Sequence, residues 1–187
     1  MTSAARDGRL GVEDWIAAAL DIMVEEGISG VKIHRLCERL GVTKGSFYWH
    51  FTDIDAFLDE VVRHWVRDGG ALPANAKLGP EAEPGRNILL AMQAFLSPRQ
   101  RKLARAMRDW SLHDERARAS MVASDRAIAA LLTDAFESLG FTEAESELRA
   151  AILYYVGVGF SHVGPVGRGA RPAEQLESVL NLLTRHH

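Results

Sequence analysis

Apolar residues recur at helical spacing along most of the chain. Val12, Trp15, Ile16, Ala19, Leu20 and Met23 fall at i, i+3 and i+4 intervals, which predicts a helix over 12–26 with one buried face. Gly27 then offers a left-handed stop. Ile33, Leu36, Cys37 and Leu40 form the inward stripe of a shorter helix over 31–40 that ends at Gly41. A third helix is predicted over 44–51. Thr43 stands where an N-cap hydroxyl would accept an early backbone N–H, and Val42 and Phe47 occupy the two positions of a hydrophobic staple. Ile54, Phe57, Leu58, Val61 and Trp65 line one side of a fourth helix over 53–67.

Residues 69–85 carry several Gly and Pro residues and no periodicity, so they mark the domain boundary. Helical patterning resumes at 86. Ser97-Pro98-Arg99-Gln100 combines a capping serine, a proline at the first helical position and a glutamine three residues after the cap, and opens a helix to about 113. A long helix over 115–139 stops at Gly140. Thr142-Glu143-Ala144-Glu145 is a capping box for a helix to about 162, and 164–171 reads as a loop. The last helix, 172–185, places Leu176, Val179, Leu180 and Leu183 on one face. No strand pattern competes. The expected fold is all-α: an N-terminal helix-turn-helix domain over 8–68, a linker over 69–85 and a larger helical domain over 86–187.

Composition narrows the function. Of 187 residues, 47% are hydrophobic and 25% charged, enough apolar material for a core and too much for a disordered chain. The single cysteine, Cys37, permits no intrachain disulfide and fits a reducing compartment. Its place in the apolar stripe makes it a buried core thiol. No apolar run is long enough for a membrane span, and the first residues lack the apolar stretch of a signal peptide. Catalysis is not expected: there is no Cys–His pair with a third partner, no glycine-rich phosphate loop and no HExxH or CxxC pattern. Neither a metal nor a cofactor is expected. His162 reads as an interface histidine, and His186-His187 are assigned no function.

A net charge of −3 argues against nucleic acid only if it is evenly spread. It is not. Between 31 and 50 stand Lys32, Arg35, Arg39 and Lys44 against Glu38 alone, a net +3, which leaves −6 for the remainder. The same segment is two short helices with a tight turn at Gly41-Val42, the size of a helix-turn-helix. In such a motif the second helix enters the major groove. With Phe47 and Phe51 in the core, Lys44, Gly45, Ser46, Tyr48, Trp49 and His50 remain to face outward. Gly45 costs the helix about 1 kcal/mol relative to alanine, so close approach of a ligand to the backbone is its reading. Tyr48 and His50 can donate to phosphates, and Lys44 can reach a phosphate or a guanine edge.

The run Thr43-Lys44-Gly45-Ser46-Phe47-Tyr48-Trp49-His50-Phe51 closely resembles the recognition motif of the tetracycline-repressor (TetR) family of bacterial transcription regulators. The resemblance extends over about 12–65. Arg108-Asp109-Trp110-Ser111-Leu112-His113-Asp114 and Leu148-Arg149-Ala150 are similar to one subgroup of the family. The resemblance implies a homodimer that binds a palindromic double-stranded operator and releases it when a small-molecule effector enters the C-terminal domain. It implies DNA contacts at Thr43, Lys44, Gly45, Ser46, Tyr48 and His50, with Trp49 a variable, sequence-reading position. It also implies a repressor in the bacterial cytoplasm, on the nucleoid when DNA-bound. Two departures stand out. Lys32 replaces the capping Thr or Ser at the start of the second helix: it can still contact phosphate but cannot accept a backbone N–H. Thr52-Asp53-Ile54-Asp55 stands where many members have a lysine. These departures motivate the alternative, a helical small-molecule binding or interaction protein that does not bind DNA.

In the C-terminal half, Phe95, Met107 and Trp110 are the expected effector contacts, since Met and aromatic residues line adaptable apolar pockets. The basic run Arg99, Arg101, Lys102, Arg105 and Arg108 reads as a solvated helix surface, with a second DNA face or an entrance for an acidic ligand as alternatives. The last two helices, with Tyr154, Gly157, Leu176, Val179, Leu180 and Leu183, are the expected dimer interface, a four-helix bundle across a two-fold axis.

Overall fold

The computed structural model describes residues 10–67, 88, 97–164, 166–167 and 171–185. The linker 69–85, Phe95 and His186-His187 lie outside the described residues. All described elements are helical, and no strand occurs among the described residues. The chain divides into two compact units, 1–64 and 65–187.

The first unit holds α1 (Val12–Glu26), a 3-10 turn (Ile28–Gly30), α2 (Ile33–Leu40), α3 (Lys44–His50) and most of α4 (Ile54–Arg67). Its core is aromatic. Phe47 lies 5.4 Å from Trp15 and 5.7 Å from Phe57, and Phe51 lies 4.8 Å from Phe57, each pair edge to face. That geometry favours aromatic pairs beyond the area they bury. α1, Phe47 on α3 and Phe57 on α4 are thereby fixed to one another. Leu36 and Cys37 bring the inner face of α2 into the same core.

The turn between α2 and α3 depends on Gly41, which adopts φ 68°, ψ 32° and returns its N–H to Glu38 O. This left-handed conformation suits glycine and closes the helix. Gly27 also has positive φ, but its ψ of −175° is extended, so α1 ends without the expected left-handed cap. Gly30 is required by proximity: a Cβ there would stand 2.6 Å from the Glu26 Cβ.

The second unit contains α5 (Pro98–Ser111), α6 (Glu115–Ser138), α7 (Glu143–Val163) and α8 (Pro172–Leu183). The caps at Ser97 and Thr142 form as the sequence predicts: Ser97 Oγ accepts from Gln100 N, and Thr142 and Glu145 complete a capping box. Asp114, which sequence reasoning passed over, caps α6 by accepting from Arg116 N at 2.9 Å and Ala117 N at 3.2 Å. Arg116 beside it, chiefly through a side-chain hydrogen bond, lowers the Asp114 carboxyl to about 2. Ile128, Leu132, Phe136, Leu153, Leu176 and Leu183 form the core of this unit. Arg149 binds α7 to the end of α8: it lies over the Phe141 ring and donates to Leu183 O at 3.0 Å.

The residues named for the expected interface are divided between this chain's core and its margin. Leu176 and Leu183 are buried in this chain's own core, and Val179 and Leu180 pack against it. Gly157 is buried, and the Tyr154 hydroxyl is bonded to Arg108 and Asp125. The exposed apolar positions are others. Leu148, Ile152, Tyr155 and Val163 lie along one side of α7 at helical spacing, with Tyr155 70% exposed, and Leu182 is exposed on α8. Counting i, i+3, i+4 positions cannot separate these two faces when both are apolar.

Candidate nucleic-acid interface

Within the first unit, α3 divides sharply. Phe47 is wholly buried, while Tyr48 is 56% and Trp49 73% exposed. Lys44 and Gly45 are also exposed, and Ser46 is half-buried. The Phe47 anchor sets the rotation of α3, so Lys44, Gly45, Tyr48 and Trp49 face outward because Phe47 faces in.

His50 is held differently. Its ring lies 6.2 Å from Trp15 and 4.6 Å from Trp49, so it is wedged between the core and the exposed indole. The Trp49 indole meets that imidazole edge to face.

Thr43 occupies the N-cap position of α3, but its hydroxyl accepts no backbone N–H. The expected side-chain cap is therefore corrected: the exposed Thr43 hydroxyl stays available to an external partner, while the Thr43 carbonyl accepts from Ser46 N at 3.0 Å. Lys32 stands at the N-cap of α2 and supplies no cap, as its side chain dictates. Gly45 has room. A Cβ there would meet only Thr43 Oγ1, at 3.5 Å, an ordinary contact. Packing inside the chain thus gives no reason for glycine here.

The charge of the motif is smaller than a count over 31–50 suggests. Arg35 pairs with both Glu26 and Glu38, and Arg39 pairs with Glu25. These bonds raise both guanidinium groups above their ordinary range: for Arg35 through Glu26 first and then Glu38, for Arg39 through Glu25. The partners Glu25 and Glu26 end α1, outside the counted segment. Two of the four cations thus tie α2 to α1. Lys32 and Lys44, both exposed, form no ion pair among the described residues, and they share an open hollow with His34 and Tyr48. His34 was not singled out by sequence reasoning, and its place in the first turn of α2 beside Lys32 was the available signal.

Near the departure at 52–55, Asp53 has a structural task. Its carboxylate accepts from Ala56 N at 2.8 Å and caps α4. Cys37 is buried as expected, and burial raises its thiol above the usual range, so it is a core group. No group of three or more His, Cys, Asp or Glu among the described residues could hold a metal ion. His162 Nδ1 faces Val158 O at 3.0 Å and must carry the proton to make that bond. No helix among the described residues is long and apolar enough to cross a membrane.

In the second unit, Met107 and Trp110 are buried. A cavity opens on a different side of α5, lined by Gln100, Arg101, Ala104, Arg105 and Arg108, and neither Met107 nor Trp110 lines it.

Residues 16–61 match the family described as bacterial regulatory proteins, tetR family. The chain is similar to the tetracycline repressor protein class A from transposon 1721 of Escherichia coli, 48% identical over 44 residues, which are 24% of this chain and 20% of that protein. It is 39% identical over 51 residues to the class D tetracycline repressor protein of Escherichia coli, covering 27% of this chain and 23% of that protein. The chain therefore matches about a fifth of the length of these curated relatives. Its fold is similar to that of a transcriptional regulator from Rhodococcus sp. Rha1, with a TM-score of 0.70 and 22% identity over 94% of each chain. It is also similar to reduced NemR of E. coli, with a TM-score of 0.66 and 22% identity over 92% of this chain and 95% of that one. At that identity the two structures speak to a shared fold.

Proposed function

We propose, from the premise that residues 16–61 are a tetR-family regulatory domain, that the chain is a homodimeric transcriptional repressor. It binds a palindromic DNA operator and is released by a small-molecule effector held in the second unit. The observation that carries this reading is the outer face of α3. Lys44, Tyr48 and Trp49 are exposed on a helix whose rotation is fixed by buried Phe47.

α3 enters the major groove with Trp49 and Lys44 toward base edges. Tyr48, Thr43 and Lys32 meet phosphates, and Gly45 lets the helix backbone approach the duplex. His50 supports Trp49 from behind and reaches the backbone at the edge of the contact. Repression follows from occupying the operator. Release requires an effector that binds the non-DNA-binding arrangement better, because only differential affinity shifts such an equilibrium. A dimer uses the exposed row Leu148, Ile152, Tyr155 and Val163 with Leu182, an apolar surface that a second copy would cover. Such a regulator works in the cytoplasm, where its operator is.

The test is selection of bound duplexes from a random pool with the full chain. The expected product is an inverted repeat whose half-sites are centred about one helical turn apart, roughly 34–36 Å. Absence of any enriched sequence at low salt would support the alternative of a helical small-molecule binding protein. For the interface, Tyr155→Glu with Leu182→Glu is expected to give a folded monomer in sedimentation. Leu176→Glu instead unfolds the second unit, because that side chain is buried in the core. A dimer unchanged by the first pair contradicts the assignment.

A further inference from the structure

Leu36 and Cys37 take the inner face of α2 into the core, and Arg35 and Arg39 are drawn to the glutamates at the end of α1. His34 takes neither direction. It is exposed in the first turn of α2 and makes no hydrogen bond or ion pair among the described residues. It opens on a hollow that Lys32, Lys44, Tyr48 and Ile54 also line. About 390 Å³ of this hollow can hold the centre of a water molecule, against the roughly 30 Å³ that one water takes up in the liquid. A backbone phosphate with its sugars has room there.

The charged and titratable groups around His34 can be followed element by element. On α2, Lys32 stands in the hollow, while Arg35 donates to Glu38 at 2.7 Å. On α3, Lys44 and Tyr48 line it. α4 supplies Ile54; beside it in the chain, Asp53 accepts from Ala56 N at 2.8 Å and Asp55 is engaged as well. On α1, Glu26 is held by Arg35 and Glu25 by Arg39. The hollow thus brings together four side chains that can donate to one strand of phosphates, and the carboxylates named are each bound elsewhere. Lysine and tyrosine keep one charge state through neutral pH, whereas histidine changes its own between about pH 5 and pH 8. With α3 in the major groove, the hollow faces the phosphates that border it. A phosphate beside an imidazole favours the imidazolium, because a nearby opposite charge stabilises the charged form.

We propose that duplex binding takes up a proton at His34. The imidazolium neutralises a backbone phosphate next to the one met by Lys32, and the proton comes from solvent. DNA affinity therefore rises as the pH falls through the range of histidine, so the operator contact responds to acidity without an effector. This inference rests on the function proposed above, with α3 as the groove-binding helix.

The experiment measures the affinity of the full chain for its selected duplex across a salt series at about pH 6 and about pH 8, for wild type, His34→Gln and His34→Lys. Wild type is expected to bind about threefold or more tightly at the lower pH. Its slope of log K against log salt should be steeper there by up to about 0.9, one further phosphate neutralised. His34→Gln keeps a donor without the charge and should lose this share of the pH response. His34→Lys keeps the charge at both pH values and should show the steeper slope at both. His50 and His64 are present in all three proteins, so their contribution cancels in the comparison. His34 is exposed, so the variants should keep the wild-type Tm. Calorimetry in two buffers of unlike ionisation heat should show fewer protons taken up by His34→Gln than by wild type. An equal pH response in wild type and His34→Gln, or equal proton uptake, would overturn the contact and leave the regulator standing. Failure of the wild type to bind any duplex at low salt would overturn the regulator, and the contact with it.

Discussion

A Cβ added to Gly45 would find ordinary space in the free protein, 3.5 Å from the Thr43 hydroxyl. Helix propensity alone then says that Gly45→Ala should stabilise the first unit by up to about 1 kcal/mol. If the backbone of α3 approaches a duplex at this position, the same change lowers DNA affinity. A thermal melt and a binding isotherm on one sample separate the two effects, and a rise in both would remove the close-approach argument. Tyr48→Phe takes away a donor from a side chain that is more than half exposed, so it should weaken duplex binding and leave Tm where it is. Asp114 belongs to the same scale. Its carboxyl is lowered to about 2 by Arg116 and by backbone N–H groups, against an ordinary 3.8. The stabilisation is therefore fully present above pH 3.8 and is lost as the pH falls toward 2. Asp114→Ala should cost about 1 kcal/mol at neutral pH, as the loss of an N-cap does. The wild type should lose more Tm than this variant as the pH is lowered through that window.

At the scale of elements, the helices of the first unit were legible because each apolar stripe has one face and ends at a glycine or a capping residue. α1 falls where its periodicity places it, at Val12–Glu26, and α3 starts behind Thr43. The partners of Arg35 and Arg39 were not legible. Glu25 and Glu26 sit on α1, and their distance from the arginines depends on the packing of α1 on α2, which no local pattern encodes. Arg39→Ala should accordingly change duplex affinity less than Lys44→Ala, as a side-by-side isotherm would show. The second unit was less legible. Met107 and Trp110 follow the spacing of a pocket wall and of a core equally well, and the structure buries both. The basic run on α5 reads as a wet surface until α6 and α7 bring Asp125 and Tyr154 to Arg108. Likewise Leu176 and Leu183 face inward because α8 packs on α7, while Tyr155 and Leu182 stay outside.

For the whole molecule, the net charge of −3 conceals an unequal distribution, and the structure makes the cationic part narrower still. With Arg35 and Arg39 committed to glutamates, Lys32 and Lys44 are the exposed cations beside α3 that form no ion pair among the described residues. A surface that neutralises so few phosphates should bind DNA with a shallow dependence on salt, and the acidic remainder should suppress binding elsewhere. The most direct test is the affinity of the full chain for its selected duplex, measured across a series of salt concentrations, with wild type and Lys44→Ala in parallel. Log K is expected to fall linearly with log salt. Lys44→Ala should bind more weakly, with a slope smaller by about 1, because one phosphate fewer is neutralised. Equal affinity and equal slope for the two proteins would contradict the placement of α3 in the groove.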